Sequence, residues 1–308
     1  MKKMMKNILY ILLLSLNSFA CSVPVFRYAL EYWQPDPYQI ILSYNPAQTN
    51  NFPEVLAEIK KYKANRTFIF KKIKSSHQNE KITLKYPADK RIRNIVWEAP
   101  LSTQNLGNIL NSPAREEFVG KILNGDSLVF LLLEGSNSKQ NTKIANIILT
   151  NIPLLEKEIK LPHEYVDIPK EDLKIYDTNI VFKLSMMRLS RTNLQEKVFI
   201  NILTKSLPES IYKQSDPIVF PVFARGRMLA ALREKDINYK TLKKMCEYVA
   251  GECSCEIKSG NPGFDIFIPT GWNFEKNKSL ISDIVLPPLS GFSEFLPAKK
   301  STDADPKK

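Results

Sequence analysis

The cysteines are the residues whose type and spacing point most directly to chemistry. They are Cys21, Cys246, Cys253 and Cys255, and the last two flank Ser254 in a C-x-C arrangement. A disulfide between cysteines this close in sequence is strained, so each is expected to pair elsewhere. Several pairings remain open, and a bond from Cys21 to Cys253 or Cys255 is the preferred interpretation.

Two thiolates at C-x-C spacing offer an alternative, which is a soft-metal site. Thiolates select copper(I), so Cys253 and Cys255 form a candidate copper site, and the same thiols suit a redox partner. Zinc needs about four ligands, and neither His77 nor His163 lies at ligand spacing from these cysteines. Structural cysteines without a cofactor remain the preferred interpretation.

Cys246 and Cys21 are each predicted to lie on or beside a helix. Residues 238–249 carry an apolar stripe that includes Cys246, with Asn238 as N-cap and Gly251 as the stop, so Cys246 is expected to be a buried core thiol. The apolar spacing in Cys21–Trp33 also predicts a helix. Cys21 would then lie at the helix N-terminus, where a thiolate is favoured, or in a structural disulfide.

Arg225 and Arg227 are the candidate anion-binding residues. They flank Gly226 between two apolar runs, Ile218–Phe223 and Met228–Leu232, a pattern that predicts a β-hairpin. Forked guanidinium donors at such a turn suit a carboxylate or a phosphate. The alternative is a solvated turn that carries two charges.

The chain before the hairpin alternates predicted strands and helices. A strand at Tyr38–Tyr44, a helix at Phe52–Tyr62 and a strand at Thr67–Ile73 predict a βαβ unit with a parallel strand pair. Ser127–Glu134 reads as a central strand, and the proline-containing segment 161–172 reads as a linker. The prediction is an α/β protein of two strand–helix layered halves, residues 21–160 and 173–297, with a disordered charged tail at 298–308.

The first twenty residues have the pattern of a secretory signal peptide. A lysine-rich start precedes the short apolar span Ile8–Leu16, and Ser18-Phe19-Ala20 fits cleavage before Cys21. We therefore expect export to the periplasm or cell envelope. Membrane attachment is expected only if Cys21 is lipidated.

The C-terminal half resembles a thioredoxin-like domain. The resemblance rests on Pro217 before a strand, Gly226 in a turn, a second strand at Met228–Leu232 and a closing helix at Asn238–Val249. It implies that fold for the C-terminal half, ending in a hairpin plus helix. The redox pair of the family, C-x-x-C, occurs nowhere in this chain, so its dithiol chemistry is not implied.

Three segments resemble an uncharacterised family of exported bacterial proteins. They are CSVPVFRYALEYW at Cys21–Trp33, FPVFARGR at Phe220–Arg227 and CSCEIKSGNPGFD at Cys253–Asp265. The resemblance implies export and a shared fold. It implies no catalytic activity.

Composition narrows the function further. The formal net charge is +12, but the lysines are scattered and form no nucleic-acid motif, so nucleic-acid binding is not expected. None of the common hydrolase, nucleotide-binding or metalloprotease motifs occurs. The sequence favours an exported, non-catalytic binding module whose partner is an unidentified envelope protein, with thiol redox or copper handling as the alternative.

Overall fold

The structure is a computed structural model that describes most of the chain between residues 21 and 272. The described residues are 21–45, 52–62, 67–74, 80–90, 92, 95–162, 180–208, 213, 215–253, 263–269 and 272, with the backbone alone at 21, 22 and 253. The predicted signal peptide, the charged tail and Cys255 lie outside the described residues, as does the predicted linker after Pro162.

Strands and helices alternate along the chain. The strands are β1 (Cys21–Pro24), β2 (Tyr38–Tyr44), β3 (Phe68–Lys74), β4 (Lys81–Lys85), β5 (Ile95–Pro100), β6 (Leu128–Leu133), β7 (Leu184–Leu189), β8 (Ile218–Phe223), β9 (Arg227–Met228), β10 (Leu232–Arg233) and β11 (Glu252–Cys253). The α-helices are α1 (Val25–Tyr32), α2 (Phe52–Lys60), α3 (Thr103–Leu110), α4 (Pro113–Leu123), α5 (Ser138–Glu158), α6 (Lys197–Thr204) and α7 (Tyr239–Ala250). Short 3-10 helices occur at Ala88–Lys90, Leu194–Glu196 and Glu234–Asp236. Within the described residues, no helix is long and apolar enough to cross a bilayer.

The first sheet contains the predicted βαβ unit. Its strand order is β3-β2-β4-β5, with β2 parallel to β3 and the other pairs antiparallel. Alternate residues of β2 (Tyr38, Ile40 and Leu42) are fully buried, because successive side chains of a strand point to opposite faces. The parallel pairing of β2 with β3 confirms the predicted βαβ unit.

The second sheet is built around β6, whose residues are all buried. Its order is β10-β8-β6-β7, and β9 also pairs with β8. β6 runs parallel to β7 and antiparallel to β8, and β8 runs antiparallel to β10. A strand buried on both faces reads as a continuous apolar run, which is why its sequence predicted a central strand.

The two sheets share one strand order and one set of directions. Numbered by place in the chain, with the two-residue strand β9 left out, the strands of each sheet lie in the order fourth, third, first, second, as β5-β4-β2-β3 and β10-β8-β6-β7. In each sheet a helix connects the first two strands, which are parallel. The predicted α/β class is confirmed as two sheets with alternating strands and helices.

The predicted linker at 161–172 does not separate the two sheets. β6 precedes that segment, whereas its partners β7 and β8 follow it. A parallel pair requires a long crossover connection, and here the crossover contains α5 together with the predicted linker. At the level of the sheets, β6 and α5 therefore belong with the later strands, and the division into 21–160 and 173–297 stays a prediction.

Two glycines give a matched test of this packing. A Cβ at Gly135, in the turn after β6, would lie 2.5 Å from the carbonyl oxygen of Ser215, whereas a Cβ at Gly120 in α4 would meet nothing within 4 Å. We expect Gly135→Ala to lower the free energy of unfolding by about 2 kcal/mol through overpacking. Gly120→Ala is expected to raise it by up to about 1 kcal/mol through helix propensity. Urea unfolding followed by circular dichroism measures both, and equal effects would contradict the described approach of this turn to β8.

Candidate functional site

The hairpin turn after β8 is held in a backbone conformation that favours glycine. Gly226 has φ +100°, and a Cβ there would lie 2.8 Å from Cγ1 of Ile266. Ala224, two residues earlier, also has a positive φ of 49°. The turn is therefore tight and packed, and it directs the arginines on either side of Gly226 into the protein.

Arg225 binds the end of the first helix. Its Nε donates to the carbonyl oxygen of Leu30 at 2.8 Å and its Nη2 to that of Glu31 at 3.4 Å. Cations stabilise helix C-termini, where the last carbonyl groups have no intrahelical partner. Burial lowers the pKa of this half-buried guanidinium. Arg225 thus fastens α1 to the hairpin.

Arg227 lies in a buried charge cluster made of Arg227, Asp36, Asp265 and Lys90. Its side chain is 2% exposed, and its Nη1 lies 3.0 Å from Oδ2 of Asp36 and 3.6 Å from Oδ1 of Asp265. Nζ of Lys90 lies 3.1 Å from Oδ2 of Asp36. The alternative of a solvated turn is wrong for Arg227, because two carboxylates of the chain itself pair with its guanidinium.

Backbone contacts hold the two aspartates of the cluster together. The amide of Asp36 donates to Oδ2 of Asp265 at 2.8 Å, and the amide of Asp265 donates to Oδ2 of Asp36 at 3.3 Å. Asp265 also forms an antiparallel bridge with Arg227. With Lys90, the cluster therefore joins four segments: the residues before β2, the 3-10 helix Ala88–Lys90, the hairpin and residues 263–269.

A second buried arginine holds the same C-terminal segment from the other side. Arg115, near the start of α4, donates to the carbonyl oxygens of Phe267 and Ile109 at 2.8 Å and of Asn111 at 3.2 Å. Its guanidinium also lies 5.6 Å from the centroid of the Phe267 ring. Desolvation lowers the pKa of Arg115 to about 10, and the negative charge of Glu196 opposes that shift.

Tyr38 fills the space between the two arginine sites. Its ring lies 5.1 Å from that of Phe267 and 5.8 Å from that of Tyr86. Its buried hydroxyl has no hydrogen-bond partner among the described residues. Burial, reinforced by Tyr86 and the two cluster aspartates, raises the pKa of Tyr38 well above its ordinary value.

The first described residues dock on the second sheet and its last helix. The amide of Val25 donates to the carbonyl oxygen of Gly251 at 2.9 Å, and the rings of Trp33 and Phe223 lie 6.0 Å apart. Helix α1 packs against α7. We call residues 21–36 the N-terminal segment, because these contacts and the two arginines bind it as a unit.

The cysteines occupy two different environments. Cys246 is fully buried in α7, as predicted, and Asn238 caps that helix by accepting from the amide of Thr241 at 3.0 Å. Cys21 lies in β1, and its register partner in β11 is Cys253. The prediction that Cys21 starts a helix is wrong, because the chain is extended through Pro24 and α1 begins at Val25.

The metal hypothesis stays a prediction. The described residues contain no group of three or more His, Cys, Asp or Glu side chains suited to a metal ion. The C-x-C site requires Cys255, which lies outside them.

Comparison with known proteins assigns no family to this arrangement. No protein-family model and no curated protein matches the chain. The chemistry of the site follows from its geometry. Two cations and two carboxylates compensate each other, and all of them except the partly exposed Lys90 are buried, which suits them to holding four chain segments together.

The aspartates and Arg115 were not found by sequence reasoning. Asp36 lies between Pro35 and Pro37, and no pattern in the sequence marks it as part of a site. Its partner Asp265 is 229 positions away, and no local pattern connects the two. No pattern in the sequence marks Arg115 either.

Asp36 offers a direct test of the charge cluster. We expect Asp36→Asn to lower the free energy of unfolding by roughly 3 kcal/mol, because it leaves buried cations without their shared carboxylate. Asp89→Asn is the matched control, since Asp89 is 63% exposed and pairs with the same lysine at 3.4 Å. Its expected cost is below about 0.5 kcal/mol. Denaturant titration measures both values, and similar costs for the two variants would contradict the cluster's role.

The buried thiol of Cys246 is expected to make the folded protein less stable in alkaline solution. Desolvation by burial raises the pKa of the Cys246 thiol to about 12, and Glu247 and Glu156 add to the shift. The unfolded thiol ionises near pH 8.5, so its contribution to stability is complete below about pH 8.5 and is lost as the pH rises towards 12. The slope from this group is up to about 1.4 kcal/mol per pH unit. Urea midpoints between pH 8 and 11 should fall less steeply for Cys246→Ala than for the parent chain, and equal slopes would refute the assignment.

Proposed function

We propose that the protein is an exported, non-catalytic binding module of the cell envelope whose cysteines serve its structure. The observation that carries the proposal is the docking of the N-terminal segment, which follows the predicted cleavage site in the sequence. Its residues are bound at the strand pair, at α7 and at both arginines. These contacts make residues 23–36 part of the folded protein, as the proposal requires of residues that follow the cleavage site.

The register of β1 and β11 supports a structural disulfide between Cys21 and Cys253. The two are facing Cα partners in an antiparallel pair. Facing residues in such pairs have Cα atoms about 4.5–5.5 Å apart, which lies within the disulfide range of about 4.4–6.8 Å. The two thiols would lose two protons and two electrons to a dithiol–disulfide oxidant of the envelope. Disulfides persist in oxidising compartments, so this bond and export support each other.

The environments of the two hairpin arginines and of Cys246 support a binding role. The forked donors of Arg225 and Arg227 bind carbonyl and carboxylate oxygens of the chain itself. The high pKa of Cys246 keeps that thiol protonated near neutral pH, where a thiol is a poor nucleophile. These groups contribute to a stable scaffold that presents its surface to a partner.

We also propose that each sheet is a variant of the thioredoxin-like arrangement. The shared strand order supports this, and so do the connecting helix, the final hairpin and the closing helix of the second sheet. On this proposal β6 and α5 supply the first strand and helix of the second copy. The chain would then be a tandem of two such units without their redox pair.

Thiol mapping of protein recovered from the envelope tests the proposal. The protein is treated with an alkylating reagent before reduction, digested and analysed by mass spectrometry. We expect a peptide pair linked through Cys21 and Cys253, no residues 1–20, and alkylation of Cys246 only after denaturation.

Two results would contradict the proposal. One is a cytosolic chain that retains residues 1–20. The other is an envelope protein with Cys21 and Cys253 both reduced and copper bound at Cys253 and Cys255, which would favour the thiol or copper-handling alternative. Cys21→Ser with Cys253→Ser is the matched variant, and it should lower stability by about 2–4 kcal/mol only under oxidising conditions.

A further inference from the structure

Strand β3 forms one edge of the first sheet, and it carries an unusual set of side chains there. Among the described strands it pairs only with β2. After the buried Phe68, it exposes the residues that we call the basic edge: Ile69, Lys71, Lys72, Ile73 and Lys74. The edge thus combines three cations with two apolar side chains and contains no acid.

The basic edge has a regular geometry. Ile69, Lys71 and Ile73 lie on one face of the sheet, since alternate residues of a strand share a face. The isoleucines are 49% and 48% exposed. Lys71 is positioned between them, with its Nζ donating to Oε1 of Gln39 on β2 at 2.8 Å. The face therefore presents an apolar, cationic, apolar series along the strand.

Charge argues against a second copy of the chain at this edge. Pairing two β3 strands would place lysines of one chain against lysines of the other, and like charges in facing strands are destabilising. Lysines on an edge strand also limit self-association. A complementary occupant must instead be acidic.

We propose that the basic edge binds an extended acidic segment of a partner protein by strand addition. The main chain of the segment would pair with the outer edge of β3. The series Ile69, Lys71 and Ile73 would select which side chains of the segment fit opposite it. Cross-strand pairing then requires an acidic residue opposite Lys71 and apolar residues two positions to either side. This proposal rests on the proposed binding function and names the partner's chemistry.

The test uses the purified full chain and a labelled synthetic peptide, Thr-Val-Thr-Glu-Thr-Val-Thr. Fluorescence anisotropy should show saturable binding that weakens with added salt, because exposed charges are screened. Amide exchange of residues 68–74 should slow when the peptide is bound. Lys71→Glu should weaken binding roughly tenfold, since it turns an attractive cross-strand pair into a repulsive one.

Charge exchange gives the sharpest control. A peptide with Lys in place of Glu should bind the Lys71→Glu variant better than the parent chain. Lys240→Glu, an exposed change on α7, should leave binding within about twofold of the parent, because it makes the same change in net charge at another surface.

Three results would overturn the proposal. They are no binding by the parent chain, equal affinities for the parent and Lys71→Glu chains, and self-association through β3 detected by sedimentation. A chain that is exported and carries the Cys21–Cys253 bond but fails these binding tests would refute this inference and leave the proposed function standing.

Discussion

The pairing of Arg227 with Asp36 and Asp265 is the interaction on which the arrangement of the chain depends. A buried ion pair is costly to desolvate, and its members stay charged only if their partners are held in place. Here backbone hydrogen bonds fix the two aspartates against each other, and Lys90 supplies the second cation. The three segments that carry Arg227, Asp36 and Asp265 are remote in sequence, and they must come together for these buried charges to be paired.

The charge cluster lies where the first and second sheets are connected. Each sheet is stabilised by its own apolar face, but the N-terminal segment docks on the second sheet while the next strand, β2, belongs to the first. Tyr38 follows the cluster directly and packs on Phe267, whose carbonyl group is bound by Arg115. The two sheets thus share one buried seam of aromatic rings and arginines, and Arg227 is the residue named from the sequence that lies in it.

Local patterns predicted local structure, and distant pairings were not predictable. The β2 strand has the predicted bounds, Tyr38–Tyr44, because a short apolar run is a signal that needs only neighbouring residues. The pairing of β6 with β7 had no local signal, because β7 lies beyond a long crossover. The sequence identified Arg225 and Arg227 as candidate site residues, but it did not identify their partners. A pattern of charges shows that a counter-charge is needed without showing where in the chain it lies.

Amide hydrogen exchange of the Asp265→Asn variant shows whether the charge cluster holds the N-terminal segment and residues 263–269 in place. If the charge cluster joins the three segments, residues 25–32 and 264–268 should lose protection together, while α5 should exchange at the rate of the parent chain. If residues 25–32 keep their protection when the carboxylate is removed, the cluster does not hold the N-terminal segment.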